Sequence, residues 1–235
     1  MSISTLKKTC IAPYLGTVPY ERALNLQQEL MHARADGRID DVLLLLQHPP
    51  VFTIGRFRGE EDITVPPETL ARERIAVFHT NRGGALTFHG PGQLVGYPIL
   101  NLKEHGLGVR EYIWKLEATV IELLLALGIQ ADRVAEYPGV WVGGNKICSI
   151  GIHVSHHITT HGFALNVSND LRYFRYARPC GLSGEVMTSV SELLGHRVEM
   201  ETIIERLLPS FSEMFCLRCE QESDRWLSIL DAPNG

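Results

Sequence analysis

The chain has 235 residues, 45% of them apolar and 21% charged, with a formal net charge of -5 and a sequence pI near 6.1. This is the composition of an ordinary globular protein able to bury a sizeable core, and its acidic balance argues against a general binder of nucleic acid or of anionic membranes. No apolar run reaches signal-peptide or bilayer-spanning length, and the five cysteines are odd in number and scattered; a cytoplasmic protein with reduced thiols is expected.

In chain order, Ala23, Leu26, Leu30 and Ala33 recur at helical spacing within residues 19–38, closed by Gly37, which predicts a packing helix. Residues 42–46 form an all-apolar run suited to a strand buried on both faces, and residues 51–54 a second strand beyond His48-Pro49-Pro50. Residues 55–67 read as a charged surface loop carrying Arg56 and Arg58, followed by a short helix over 68–74 and a strand over 75–78. Residues 81–93 are the most glycine-dense segment. Tight turns there expose backbone N–H groups, which with Arg82 alongside suit either a cradle for a carbonyl oxygen or anion, or a plain connecting loop. The Gly-Lys-Ser/Thr ending of a nucleotide P-loop is absent. Residues 94–101 follow as a strand in which Pro98 implies an edge or a bulge.

The most regular helix spans residues 110–127, where Ile113, Leu116, Val120, Leu123, Leu124 and Leu127 keep one face and Gly128 caps the end. Beyond it, residues 139–153 alternate small or polar with branched apolar side chains, Ser155-His156-His157 interrupts, and alternation resumes to Asn166. That pattern predicts a β-hairpin with Lys146 opening its first strand, where the ammonium can reach a cleft. Residues 169–178 are aromatic and basic and lead into Pro179-Cys180-Gly181, a sharp turn that would expose the thiol. A helix over 201–215 and an acidic, weakly patterned peripheral tail over 219–235 complete the chain. Without repeats or linkers, the reading is a single domain over residues 1–235 of α/β (α+β) class, a mixed β-sheet flanked by helices.

Cysteine chemistry needs a thiolate. A lysine ammonium ~4 Å from a thiol contributes on the order of 4 kcal/mol at an effective dielectric near 20, before desolvation is subtracted. Half of that exceeds one pKa unit of about 1.4 kcal/mol, so a Cys/Lys pair suffices to activate a nucleophile. Spacing leaves open whether the partner of Lys146 is Cys148, two residues on and on the same strand face, or Cys180. His153, His156, His157 and His161 have a spacing that some zinc sites use, but two fall on the predicted turn and no carboxylate or second cysteine is near in sequence, so no metal is expected. Cys216 and Cys219 form a lone Cys-x-x-Cys, read as ordinary thiols.

At these residues the sequence resembles the octanoyltransferases of lipoate biosynthesis. The matching blocks are His48-Pro-Pro-Val-Phe-Thr-Ile-Gly55, Arg82-Gly-Gly-Ala-Leu-Thr-Phe-His-Gly-Pro-Gly-Gln93, Gly144-Asn-Lys-Ile-Cys-Ser-Ile-Gly151, His161-Gly-Phe-Ala-Leu-Asn166 and Pro179-Cys-Gly-Leu182, in the family's order across residues 43–215. Gln47 stands where family members commonly carry Glu. The resemblance implies the catalytic-domain fold of biotin and lipoate protein ligases and a ping-pong acyl transfer. It implies Cys180 as the nucleophile that carries the acyl thioester, and Lys146 as the group that lowers its pKa and serves as general acid and base. Substrate contacts are implied at Arg82, Gly83, Gly84, Ala85, Leu86, Thr87, Phe88, His89, Ser149, Ile150, Gly151, Gly162, Phe163 and Ala164. The implied donor is octanoyl-acyl carrier protein, and the implied acceptors are the lipoyl domains of 2-oxoacid dehydrogenases and the glycine-cleavage H protein. Neither ATP nor metal is implied, the expected state is a monomer, and Arg56, Arg58, Arg175 and Arg178 are candidate docking residues. Two rivals stand beside this reading: an ATP-dependent lipoate or biotin ligase, which needs no cysteine at position 180, and a non-catalytic module that binds carrier or lipoyl domains.

Overall fold

The computed structural model describes residues 8–57, 59–135, 137–177 and 187–221. The first half runs β1 (Lys8–Ile11), β2 (Tyr14–Thr17), α1 (Tyr20–Ala35), β3 (Asp41–Gln47), β4 (Val51–Ile54), α2 (Pro67–Arg72), β5 (Ala76–His79), β6 (Leu86–His89), β7 (Gln93–Ile99) and α3 (Val109–Leu125). The second half runs β8 (Asp132–Val134), β9 (Tyr137–Val142), β10 (Asn145–Ser155), β11 (Ile158–Asn166), a 3-10 helix (Leu171–Tyr176), α4 (Val190–Leu194), α5 (Met200–Phe215) and β12 (Leu217–Glu220). The architecture is mixed α/β, as the sequence pattern predicts. A main sheet is ordered β12-β1-β3-β7-β11-β10-β9-β8 with β2 paired to β3, and a small sheet is ordered β5-β4-β6.

Hydrophobic periodicity decides which face each helix covers. Leu116, Val120, Leu123 and Leu124 of α3 join Ile203, Leu207 and Phe211 of α5 in a core against one face of the main sheet, and Leu43, Leu45 and Leu165 point into it from the strands. The alternate residues Leu44 and Leu46 meet Ala23, Leu30 and Ala33 of α1 on the other face. The uninterrupted apolar run of β3 thus serves two cores, as expected for a strand covered on both sides. A third cluster, including Phe52, Phe88 and Phe174, packs the small sheet against the 3-10 helix.

The hairpin forms where expected. His156 and His157 are the two turn residues, with φ of 51° and 66°, between Ser155 and Ile158, which pair directly. Two positive φ values in a two-residue loop match the twist of the flanking strands, and histidine tolerates that region better than most residues.

Two expectations need correction. Pro98 lies in β7, which is flanked by β3 and β11, so it is not on an edge. Nor is it at a bulge: β11 pairs with β7 from Phe163 opposite Gly96 and again at Ile158 opposite Asn101 in the same register, so no residue is inserted and the ladder is only interrupted about Pro98, where His161 has φ 55°. There the Thr159 hydroxyl donates to the Pro98 carbonyl at 2.7 Å and accepts the Leu100 N–H at 3.0 Å, satisfying a carbonyl and an amide that the interrupted ladder leaves without strand partners. Secondly, Cys219 and Glu220, read as the start of a peripheral tail, belong to β12, which pairs in parallel with β1 at the far end of the chain. The rest of the predicted tail, residues 222–235, lies outside the described residues.

Candidate active site

A slot opens between the small sheet and the ends of β7, β10 and β11. The loop before β6 is stitched down on both sides: Gly55 and Phe57 donate their N–H groups to the Ala85 and Gly84 carbonyls, and Gly83 donates to the Ile152 carbonyl at 2.8 Å. The Gly83 amide is therefore committed to β10 and does not join an anion cradle. Arg82, buried, braces the loop by donating from Nε to Thr53 Oγ1, from Nη2 to the Thr53 carbonyl, and from Nη1 to the Gly83 carbonyl. At the crossing point, a Cβ on Gly151 would meet the Gly83 carbonyl at 2.9 Å and Arg82 Cδ at 3.2 Å, so only glycine keeps the passage open.

The slot, a cavity of about 60 Å³, is lined by Arg82, Gly84, Ala85, Leu86, Thr87, His89, Lys146, Ser149, Ile150, Gly151, Gly162, Phe163 and Ala164 among the sequence-expected residues. Gly83 lines instead a wider outer groove of about 450 Å³ that shares Gly84, Ala85, Lys146, Ile150 and Gly151 with the slot. Lys146 therefore stands where the two spaces meet. Phe88 is the exception: strand alternation turns it away from the slot, to stack on Tyr173 at 4.9 Å on the far side of the small sheet. The neighbouring Thr87 hydroxyl is buried with no hydrogen-bond partner among the described residues.

Lys146 itself is buried, with Nζ 5.2 Å from the centre of the Trp141 ring. The register against β9 slips here: Lys146 pairs with Trp141 but Cys148 with Val140, a β-bulge that inserts Ile147. The same-face expectation for Lys146 and Cys148 is thereby overturned. Cys148 turns into the core beneath α3, and burial pushes its thiol up to about 12, with Lys146 lowering it only in part. Cys10 is likewise buried with its thiol raised, first by a hydrogen bond with Cys219 and then by burial. Cys180 and Arg178 lie outside the described residues, as does Arg58. The chain on either side of that segment is anchored: Ala177 bridges Ile63, Met187 bridges Lys146, and Thr188 N–H donates to the Lys146 carbonyl at 3.0 Å.

The family model described as the lipoyl protein ligase A/B catalytic domain matches residues 19–212. An octanoyltransferase of Desulforamulus reducens is 40% identical over 215 residues, covering 91% of this chain and 94% of the relative. One from Caldicellulosiruptor saccharolyticus is 46% identical over 204 residues, covering 86% and 87%. The chain belongs to the octanoyltransferases. The fold is also that of a putative lipoate protein ligase from T. acidophilum solved with bound lipoic acid, which superposes with a TM-score of 0.72 over 95% of this chain and 93% of that one at 16% identity.

In this octanoyltransferase the remaining slot wall comes from residues not expected to contact substrate. Tyr20, Val95, Tyr97, His161 and Met187 all line it. Apart from Val95 and Tyr97, both on β7, their sequence positions are far apart, and only His161 sat inside a matching block. The polar side chains of this wall are hydrogen-bonded to protein partners. Tyr97 hydroxyl meets His48 Nε2 at 2.9 Å, His161 Nε2 meets Asn81 Oδ1 at 2.8 Å, and His89 Nδ1 meets Gln93 Oε1 at 2.8 Å. Burial holds all three imidazoles neutral: His48 falls to about 4, His161 to about 3, and His89 well below its ordinary value. The four spaced histidines do not form a metal site; His153 bonds Arg56 at 3.2 Å, and His156 and His157 are exposed turn residues. Among the described residues no three His, Cys, Asp or Glu side chains converge to hold a metal ion. Gln47 donates to Tyr14 hydroxyl and accepts the Gly92 N–H at 2.7 Å, holding the loop after β6. No helix among the described residues is long and apolar enough to cross a membrane.

Proposed function

We propose that the enzyme takes an octanoyl group from octanoyl-acyl carrier protein onto Cys180 as a thioester and passes it to the target lysine of lipoyl domains, those of 2-oxoacid dehydrogenases and the glycine-cleavage H protein. The observation that carries this reading is the place of Lys146: its side chain lies at the junction of slot and groove, and its own backbone anchors residues 187 and 188, immediately after the segment that bears Cys180. The inert state of Cys148 supports the same assignment.

In the first half-reaction the Cys180 thiolate attacks the thioester carbonyl. The carrier's thiolate leaves and takes a proton from the Lys146 ammonium, which becomes neutral. In the second, a neutral substrate amine attacks the octanoyl-enzyme, the C–S bond breaks, and Lys146 accepts the amine's proton, restoring the thiolate–ammonium pair. A thioester is exchanged for a thioester and then for a more stable amide, so the reading requires neither ATP nor a metal. Arg56 and Arg175, both exposed, are docking candidates for acidic partner proteins.

Intact-mass measurement after mixing with octanoyl-acyl carrier protein, without ATP, tests this. A hydroxylamine-labile octanoyl adduct is expected on the parent and on Cys148→Ala and not on Cys180→Ser; an adduct that requires ATP would favour the ligase alternative. Lys146→Ala is expected to acylate at least tenfold more slowly at neutral pH and to recover as pH rises, because about one pKa unit of thiol activation is lost.

A further inference from the structure

The seat of Lys146 is built by residues outside the motifs. Its neck passes over Gly139 of β9, where φ is 136°. A Cβ at that position would run into the Cys148 carbonyl and lie 2.6 Å from Lys146 Cε. Only glycine adopts that backbone without strain and leaves space for the lysine. The Gly139 backbone is fixed from across the layer: its N–H donates to Glu117 Oε1 of α3 at 3.0 Å. Arg133 Nε of β8 donates to Glu117 Oε2, also at 3.0 Å, and the Arg133 guanidinium stacks on Trp114 at 4.6 Å. The Glu117 side chain is 9% exposed, so both of its oxygens need their donors to offset desolvation.

We propose that Glu117 is a positioning residue for octanoyl transfer: by holding the Gly139 N–H from α3, it fixes the backbone over which the Lys146 side chain lies and so sets the reach of the ammonium toward the reacting sulfur. This rests on the acyl-transfer reading above. A purely structural clamp would lower stability and leave thiol activation alone, whereas a positioning role moves the pH dependence.

The test is the pH profile of octanoyl-enzyme formation. Glu117→Ala is expected to shift the profile upward by about one pH unit, slowing acylation roughly tenfold at pH 7, with recovery above pH 9 and the donor KM unchanged within about twofold. Glu117→Gln keeps an oxygen for the Gly139 N–H and is expected to lie within about threefold of the parent, and Arg133→Met is expected to lower Tm without moving the profile. Should Glu117→Ala fail to fold, Glu117→Asp, which retracts the acceptor by one methylene, takes its place under the same criterion. A Glu117→Ala (or Asp) profile superimposable on the parent's, or a Gln profile as displaced as that of Ala, overturns the proposal. If the parent is acylated and Lys146→Ala shifts while Glu117→Ala does not, only this inference falls; if the parent takes no octanoyl group on Cys180, the acyl-transfer reading itself falls.

Discussion

On the α3–α5 face of the main sheet, Leu116, Leu123, Ile203 and Phe211 exclude water with hydrocarbon. On the face beneath the small sheet, Tyr97, His89, His161 and Arg82 exclude it with buried polar side chains that are hydrogen-bonded to protein partners. The first face is stabilised by volume and area, so it responds to cavities and hardly to pH. The second depends on hydrogen bonds and on imidazoles staying neutral, so it responds to protons and to the loss of single partners. A wall of this second kind can sit beside reacting charges without filling the space that a substrate needs.

The sharpest way to break the comparison is Gly151→Val, which thrusts a branched side chain against the Gly83 carbonyl and Arg82 where the slot and groove meet. Octanoyl transfer per folded molecule should fall roughly a hundredfold or more as the reacting groups are pushed out of register, beyond any accompanying drop in Tm from the displaced backbone; near-normal transfer rates would show that this crossing is not the acyl path. On the other face, Phe211→Ala removes a fully buried ring stacked on Phe215 and should cost about 3–5 kcal/mol in denaturant unfolding. Its rate per folded molecule should be that of the parent.

A smaller effect separates the faces by pH. Because the folded-state pKa values of His48 and His161 lie near 4 and 3, below the ordinary value of 6.5, the unfolded chain binds more protons in that window. Stability should be full above pH 6.5 and fall as pH drops toward 4, by up to about 1.4 kcal/mol per pH unit for each imidazole. His48→Phe should flatten that slope by about one proton, whereas Phe211→Ala should leave it unchanged. Equal slopes in parent and His48→Phe would mean that His48, which bonds the wall residue Tyr97 from behind, is not the acid-sensitive group.

Local patterns carried much of this molecule. The helical stripes of α1, α3 and α5, the both-faces-buried run of β3 and the hairpin about His156 and His157 are written in spacing alone, because side-chain period and turn chemistry are properties of neighbours along the chain. Which face a strand residue shows is another matter. A single inserted residue, Ile147, sends Cys148 to the core and leaves Lys146 at the slot, and alternation sends Phe88 one way and Thr87 the other. That depends on register against β9 and β4, which only tertiary pairing sets. The same holds for Tyr20, Tyr97, Met187 and Glu117, gathered from distant parts of the sequence, and for β12, which becomes a strand because β1 offers it an edge. The sequence determined the chemistry available and the elements that carry it; the packed sheet decided which of those groups meet, since contact is a long-range property that no local period encodes.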